Sequence, residues 1–251
     1  MADALGRGGR CHLPSPQAGR LPRRDHARPP GRLVICELGA RRLTRTEHDG
    51  TTTVLADRWK GKRLTKPDDA VVKSDGSTGF SDNGAGIRGN CLGDKTLREM
   101  PFRVYRIDDT TGAMIIALDD MERPNGFCFS PDDRLRRVVD TPSVRRTTRV
   151  YDVAEDSKAL RNGRLLVDAT PGYTDGIRCD MQGDVWCGFS CGEGQDGVAV
   201  FAPDGEMIGR ILLPERCAKV RFGGARRSRL FMTASQSVCV LYVEAQGVLG
   251  G

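Results

Sequence analysis

The chain has 251 residues, 38% hydrophobic and 29% charged, which is enough for one large domain or two ordinary ones with a sizeable core. No run approaches the roughly 20 apolar residues that span a bilayer, so a membrane role is not expected. Most of the formal charge of +6 comes from residues 1–30, where six Arg against Asp3 and Asp25 supply +4. The remainder lacks the clustered basic face that phosphate binding requires, so nucleic acid is not an expected partner.

Residues 1–30 hold five Pro and show neither helical nor strand periodicity. They read as a disordered or artefactual leader, too rich in Pro for the amphipathic helix of a transit peptide. Without an apolar signal segment, a cytoplasmic chain with reduced thiols is expected. The nine Cys contain no CxxC pair, and His occurs only at His12, His26 and His48. Zinc-ligand spacing is therefore absent, and most of the Cys are expected to be small buried hydrophobes.

From Gly31 the character changes to short Val, Ile and Leu-rich runs separated by turn dipeptides at Asp49-Gly50, Asp75-Gly76, Gln182-Gly183 and Asp204-Gly205. The segment RLVICELGARRLTRTEHDGTTTVLA predicts the last three strands of a sheet whose inner strand would fall within the leader. Four copies of a loose repeat follow, starting at Asp68 (DDAVVKSDGSTGFSD), Asn125 (NGFCFSPDDRLRRVVD), Asp175 (DGIRCDMQGDVWCGFS) and Lys219 (KVRFGGARRSRLFMTAS). Their starts lie 57, 50 and 44 residues apart, with further strand-like runs at 102–118 and 196–213. Roughly four strands per forty to fifty residues is the period of propeller blades. A β-sandwich with evenly spaced hairpins is the alternative. Residues 31–248 form the expected domain, and 249–251 a tail.

Two short motifs carry little. Gly84-Ala85-Gly86-Ile87-Arg88-Gly89 fits a dinucleotide fingerprint but is followed by loop sequence instead of a helix, so no nucleotide cofactor is expected. Gly188-Phe189-Ser190-Cys191-Gly192 fits a nucleophile elbow, but no His follows His48 to serve as its base.

The repeats carry more. In a propeller, equivalent inner-strand positions meet at one end of the central channel, so Asp68, Asn125, Asp175 and Lys219 are expected to converge. Oxygen donors converging there suit a hard divalent cation. Strand-initial turn chemistry is the competing explanation of the same Asn and Asp residues.

At these repeats, and in RPNGFCFSPDD, DGIRCDMQGDVWC and VAVFAPDGEMIGRILLPERC above all, the chain resembles the gluconolactonase, senescence marker protein and luciferin-regenerating enzyme family. The resemblance runs from about Gly31 to Val248. It implies an all-β, six-bladed type of propeller whose first blade is missing or replaced, with about five blades encoded. It implies metal-dependent hydrolysis of a sugar lactone such as glucono-1,5-lactone, with Asn125 and Asp175 as metal ligands and Asp175 as general base. Calcium is the expected metal; zinc, manganese and magnesium are the alternatives.

Departures from the family pattern shape the second reading, a catalytically incomplete propeller that binds a small molecule or a protein. The family's first-blade Glu ligand has no counterpart, and Glu37 lies too far along its strand to replace it. Asp68 stands where the family's substrate-binding Asn would be. The segment Gly79–Gly86 lacks the family's Trp, Pro and Tyr, which predicts a loosened blade. Lys219 occupies a position where relatives carry Asn or a small polar residue; it would repel a metal, pair with Asp175 or point to solvent. The lactone's identity and the oligomeric state are left open.

Overall fold

The computed structural model describes residues 22–28 (backbone), 31–84, 87, 89–90, 93–142, 144–156 and 158–249. The first sheet comprises β1 (Pro22–Arg28), β2 (Arg32–Glu37), β3 (Arg42–Thr46) and β4 (Thr52–Ala56), and is followed by a short hairpin of β5 (Arg58–Trp59) and β6 (Lys62–Arg63). The second is β7 (Pro67–Val72), β8 (Thr78–Asp82), β9 (Arg103–Ile107) and β10 (Met114–Leu118). The third is β11 (Pro124–Phe129), β12 (Leu135–Asp140), β13 (Thr147–Val153) and β14 (Leu160–Asp168). The fourth is β15 (Tyr173–Cys179), β16 (Val185–Ser190), β17 (Gly197–Phe201) and β18 (Met207–Leu212), and the fifth β19 (Cys217–Gly223), β20 (Arg229–Ala234) and β21 (Val238–Tyr242).

Each sheet is an antiparallel meander, and the inner strands β1, β7, β11, β15 and β19 pack one against the next. The protein is an all-β propeller with five blades among the described residues. The three strands read from Arg32 onward are β2, β3 and β4, and the backbone of β1 pairs with β2 inside the segment read as a leader. Residues 1–21 and 29–30 of that segment lie outside the described residues.

Strand β7 explains why the pattern is a run and not an alternation. Ala70 and Val72 enter the core shared with the first blade, beside Val34, Leu43 and Leu64, whereas Val71 enters the core shared with the third, beside Phe127 and Val138. Both faces of the strand are covered, so its residues are buried throughout. Further cores lie between the third and fourth blades, around Ile177 and Val185, and between the fourth and fifth, around Val198, Val220 and Leu230.

The second blade is not stripped of aromatics by its departures from the family pattern. Phe80 stacks on Tyr105 at 5.2 Å between ring centroids, and Trp59 from the β5–β6 hairpin tilts against the same ring at 5.8 Å. These rings supply large buried surface in the same core.

The turns follow their chemistry. In the β7–β8 hairpin the Asp75 carboxylate accepts the Ser77 N–H at 2.9 Å, while Gly76 takes φ +86°, a left-handed value costly for any residue with a Cβ. At the far end of the chain, Met181 N–H donates to Gln246 O and Val248 N–H to Cys179 O, tying residues 246–248 to the fourth blade.

Candidate active site at the channel mouth

The repeat starts fall near the beginnings of the inner strands: Asp68 on β7, Asn125 on β11, Asp175 on β15 and Lys219 on β19. The fold brings three of them together. Lys219 Nζ lies 2.6 Å from Asp175 Oδ1 and 3.4 Å from Asn125 Oδ1, so one ammonium bridges the two oxygen donors. The contact is shielded, with side-chain exposures of 10% for Lys219 and 16% for Asp175. Of the three orientations open to Lys219 from sequence, the pairing with Asp175 is the one adopted.

Two glycines make this approach possible. A Cβ on Gly176 would stand 2.1 Å from Lys219 Cδ, so the lysine stem lies directly across the bare backbone of β15. A Cβ on Gly126 would stand 2.1 Å from the Asp175 carbonyl oxygen, so β11 and β15 come together only because Gly follows Asn125.

Asp68 faces a different set of partners. Its Oδ2 accepts from Asn83 Nδ2 at 2.7 Å, and Lys66 Nζ lies 3.8 Å from its Oδ1. Asn83, not singled out from sequence, lines a cavity of about 340 Å³ together with Arg123, Asn125, Thr141, Pro142, Arg146 and Tyr173. Asp68 thus contacts a residue of the cavity lining, Asn83. The available signal was the DNG turn ending β8, whose Asn is positioned when the preceding Asp82 accepts the N–H groups of Thr65 and Lys66.

Beneath the mouth, Asp69 accepts two hydrogen bonds from Arg178, each at 3.2 Å, and a third from Phe127 N–H at 3.1 Å. Burial lowers the pKa of neighbouring Arg221 to about 10, with the Arg178 charge acting in the same direction.

The residues present do not fit the expected divalent cation. Calcium takes six to eight oxygen ligands and the other candidates also need several donors, whereas Asn125 and Asp175 face an ammonium lodged between them. Among the described residues, no three His, Cys, Asp or Glu side chains are grouped to hold a metal. Glu37 is engaged elsewhere, accepting from Arg42 Nε at 2.9 Å and from Thr44 Oγ1 at 3.0 Å. The two residues expected as metal ligands stand together, and the ammonium of Lys219 lies between them.

The Gly188–Gly192 segment runs off the end of β16, and Ser190 is buried in a strand instead of raised on a strand-to-helix turn.

Comparison with known proteins agrees with this architecture. Residues 7–236 match the model of the SMP-30/gluconolactonase/LRE-like region. The chain belongs to this family. A solved structure of a gluconolactonase from Xanthomonas campestris is similar, with a TM-score of 0.79 and 30% identity over 87% of this chain and 70% of that one. The gluconolactonase of Zymomonas mobilis is 27% identical over 84% of this chain and 60% of its own length. A lactonohydrolase of Aspergillus oryzae is 26% identical over 72% of this chain and 45% of its own length. The chain thus spans about half to three-fifths of these two curated relatives.

Proposed function

We propose that this chain hydrolyses a sugar lactone at the channel mouth. The observation that carries the reading is the convergence of Asp175, Asn125 and Lys219, with Asn125 also lining the cavity of about 340 Å³. The names of the gluconolactonase and lactonohydrolase relatives support the substrate class.

In this reading Asp175 removes a proton from water as the water oxygen attacks the lactone carbonyl carbon. The tetrahedral oxyanion forms within the field of the Lys219 ammonium and of Arg123 and Arg146, whose side chains line the cavity. Collapse breaks the ring C–O bond, the ring oxygen takes up a proton, and the product is an open-chain hydroxy acid. No covalent enzyme intermediate and no metal step are required.

A second reading is favoured by the 2.6 Å Lys219–Asp175 contact, which engages the proposed base: the propeller then binds a small polyol or lactone without turning it over. Proton release from glucono-1,5-lactone, measured in chelator with the wild type and Asp175→Ala, separates the two. Turnover above the spontaneous rate that disappears in Asp175→Ala is the expected result. Saturable binding of the lactone with no turnover establishes the second reading and rejects the first.

A further inference from the structure

We infer that Lys219 is a built-in replacement for a divalent cation, an ammonium carried by the chain that holds Asn125 and Asp175 in place and keeps a metal ion out. The two oxygen donors meet at a single nitrogen, at 3.4 Å and 2.6 Å, as donors meet around a shared ion. An ammonium is a compact point charge with three donors, so it satisfies an amide oxygen and a carboxylate oxygen together and has a third proton to offer. A divalent cation entering the same space would meet a like charge in a site largely shielded from solvent.

The lysine is built into position. Its stem crosses β15 at Gly176, where a Cβ would approach Cδ to 2.1 Å and Nζ to 2.9 Å. Its own carbonyl oxygen accepts from Cys217 Sγ at 3.3 Å and from Thr233 Oγ1 at 3.5 Å, which fixes the start of β19. Lys219 is 8% exposed, so the charge is not a solvent-facing side chain resting on the surface.

The inference has a chemical consequence for ligands. A metal site offers open coordination positions to several substrate oxygens at once, whereas an ammonium offers only its remaining N–H direction. Ligands recognised here therefore present one strong acceptor, a lactone carbonyl or a carboxylate, to Lys219. Their other oxygens meet cavity-lining groups such as Asn83, Arg123 and Tyr173. This ligand preference rests on the proposed function; the exclusion of metal does not.

Calorimetric titration of calcium and manganese into the full-length wild type and Lys219→Asn, without lactone, tests the exclusion. The wild type is expected to give no site-specific heat, and Lys219→Asn to bind at least tenfold more tightly, with a rise in melting temperature on adding the ion. Wild-type binding as tight as that of the variant overturns the inference, because Lys219 would then be displaced without cost. A variant that melts cooperatively and still binds no ion overturns it as well, because something other than Lys219 would be excluding the metal. Should Lys219→Asn fail to fold, Lys219→Gln, which keeps a longer stem over Gly176, is judged by the same outcomes. Absence of lactone turnover in every variant leaves the binding result intact, so failure of the proposed activity is read separately.

Discussion

Asp69 and Arg178, 109 residues apart in sequence, meet fork to fork across the inner strands, with both N–H···O contacts at 3.2 Å and both side chains buried. The pair fastens β7 to β15, the strand that carries Asp175. Burying it stabilises little in itself, because both ions lose their water, but removing one partner takes a buried counter-charge from the other. Arg178→Met is expected to cost about 3–5 kcal/mol, and the double change with Asp69→Asn to cost less than the two single changes together. Urea unfolding of the three variants measures this; additive single costs would mean that the charges are not coupled.

The hydroxyl of Tyr105 is buried at 0% exposure with no hydrogen-bond partner among the described residues. Burial, reinforced by the charge of Asp82, pushes its pKa up to about 12. Tyr105→Phe keeps the ring contacts with Phe80 and Trp59 and removes only the costly polar atom. The variant is expected to equal the wild type or exceed it by about 1–2 kcal/mol in denaturant unfolding. A clear loss of stability would mean that the hydroxyl is satisfied in solution.

Asp82 has the opposite pH behaviour from a salt-bridged carboxylate. Burial raises its pKa to about 6, against the backbone N–H groups of Lys66 and Thr65, which favour the ionised form. A carboxyl whose folded pKa lies above its unfolded value binds protons more tightly when folded. Its share of stability is therefore present below the unfolded value near 4 and is lost as pH rises through 6. Relative to Asp82→Asn, the wild type is expected to gain roughly 2–3 kcal/mol between pH 7 and pH 4. A stability difference that is flat over this window would place the carboxyl near its ordinary value.

Thiol accessibility gives a test of the fold itself. Cys36, Cys128, Cys179, Cys187 and Cys217 are buried, and Cys191 and Cys239 are partly exposed. Burial pushes the Cys128 thiol up to about 11 and the Cys217 thiol up to about 12, and raises Cys187 well above the ordinary range. Of these seven, Cys191 and Cys239 are expected to react with a disulfide reagent at pH 8 in the native protein, and the other five only after unfolding. Rapid native labelling of Cys179 or Cys187 would contradict the packing of the core between the third and fourth blades.

The strand repeat was legible because the blades return similar local chemistry: an apolar run, a tight turn with a residue at positive φ such as Gly76, Asp133, Gly183 or Gly224, and another run. It yielded the inner strands that carry Asp68, Asn125, Asp175 and Lys219, and the three strands beginning at Arg32. Aromatic packing in the second blade was not legible, because Trp59 comes from a hairpin outside the repeat and reaches Tyr105 only in three dimensions. Asn83 escaped notice for a similar reason: its role depends on a hydrogen bond to Asp68, 15 residues away, and on a cavity formed with the third blade.

The sequence by itself determined a β-propeller lineage and the presence of Asn125 and Asp175 at equivalent places in successive repeats, since strand period and turn residues are local properties. Tertiary structure decided what those residues do to one another. Direction and reach of the Lys219 side chain depend on the missing Cβ at Gly176 and on the spacing of β11, β15 and β19, and these bring a cation to the point between the two oxygens. Close packing across blades, which no single repeat specifies, set Asn125 and Asp175 around one ammonium.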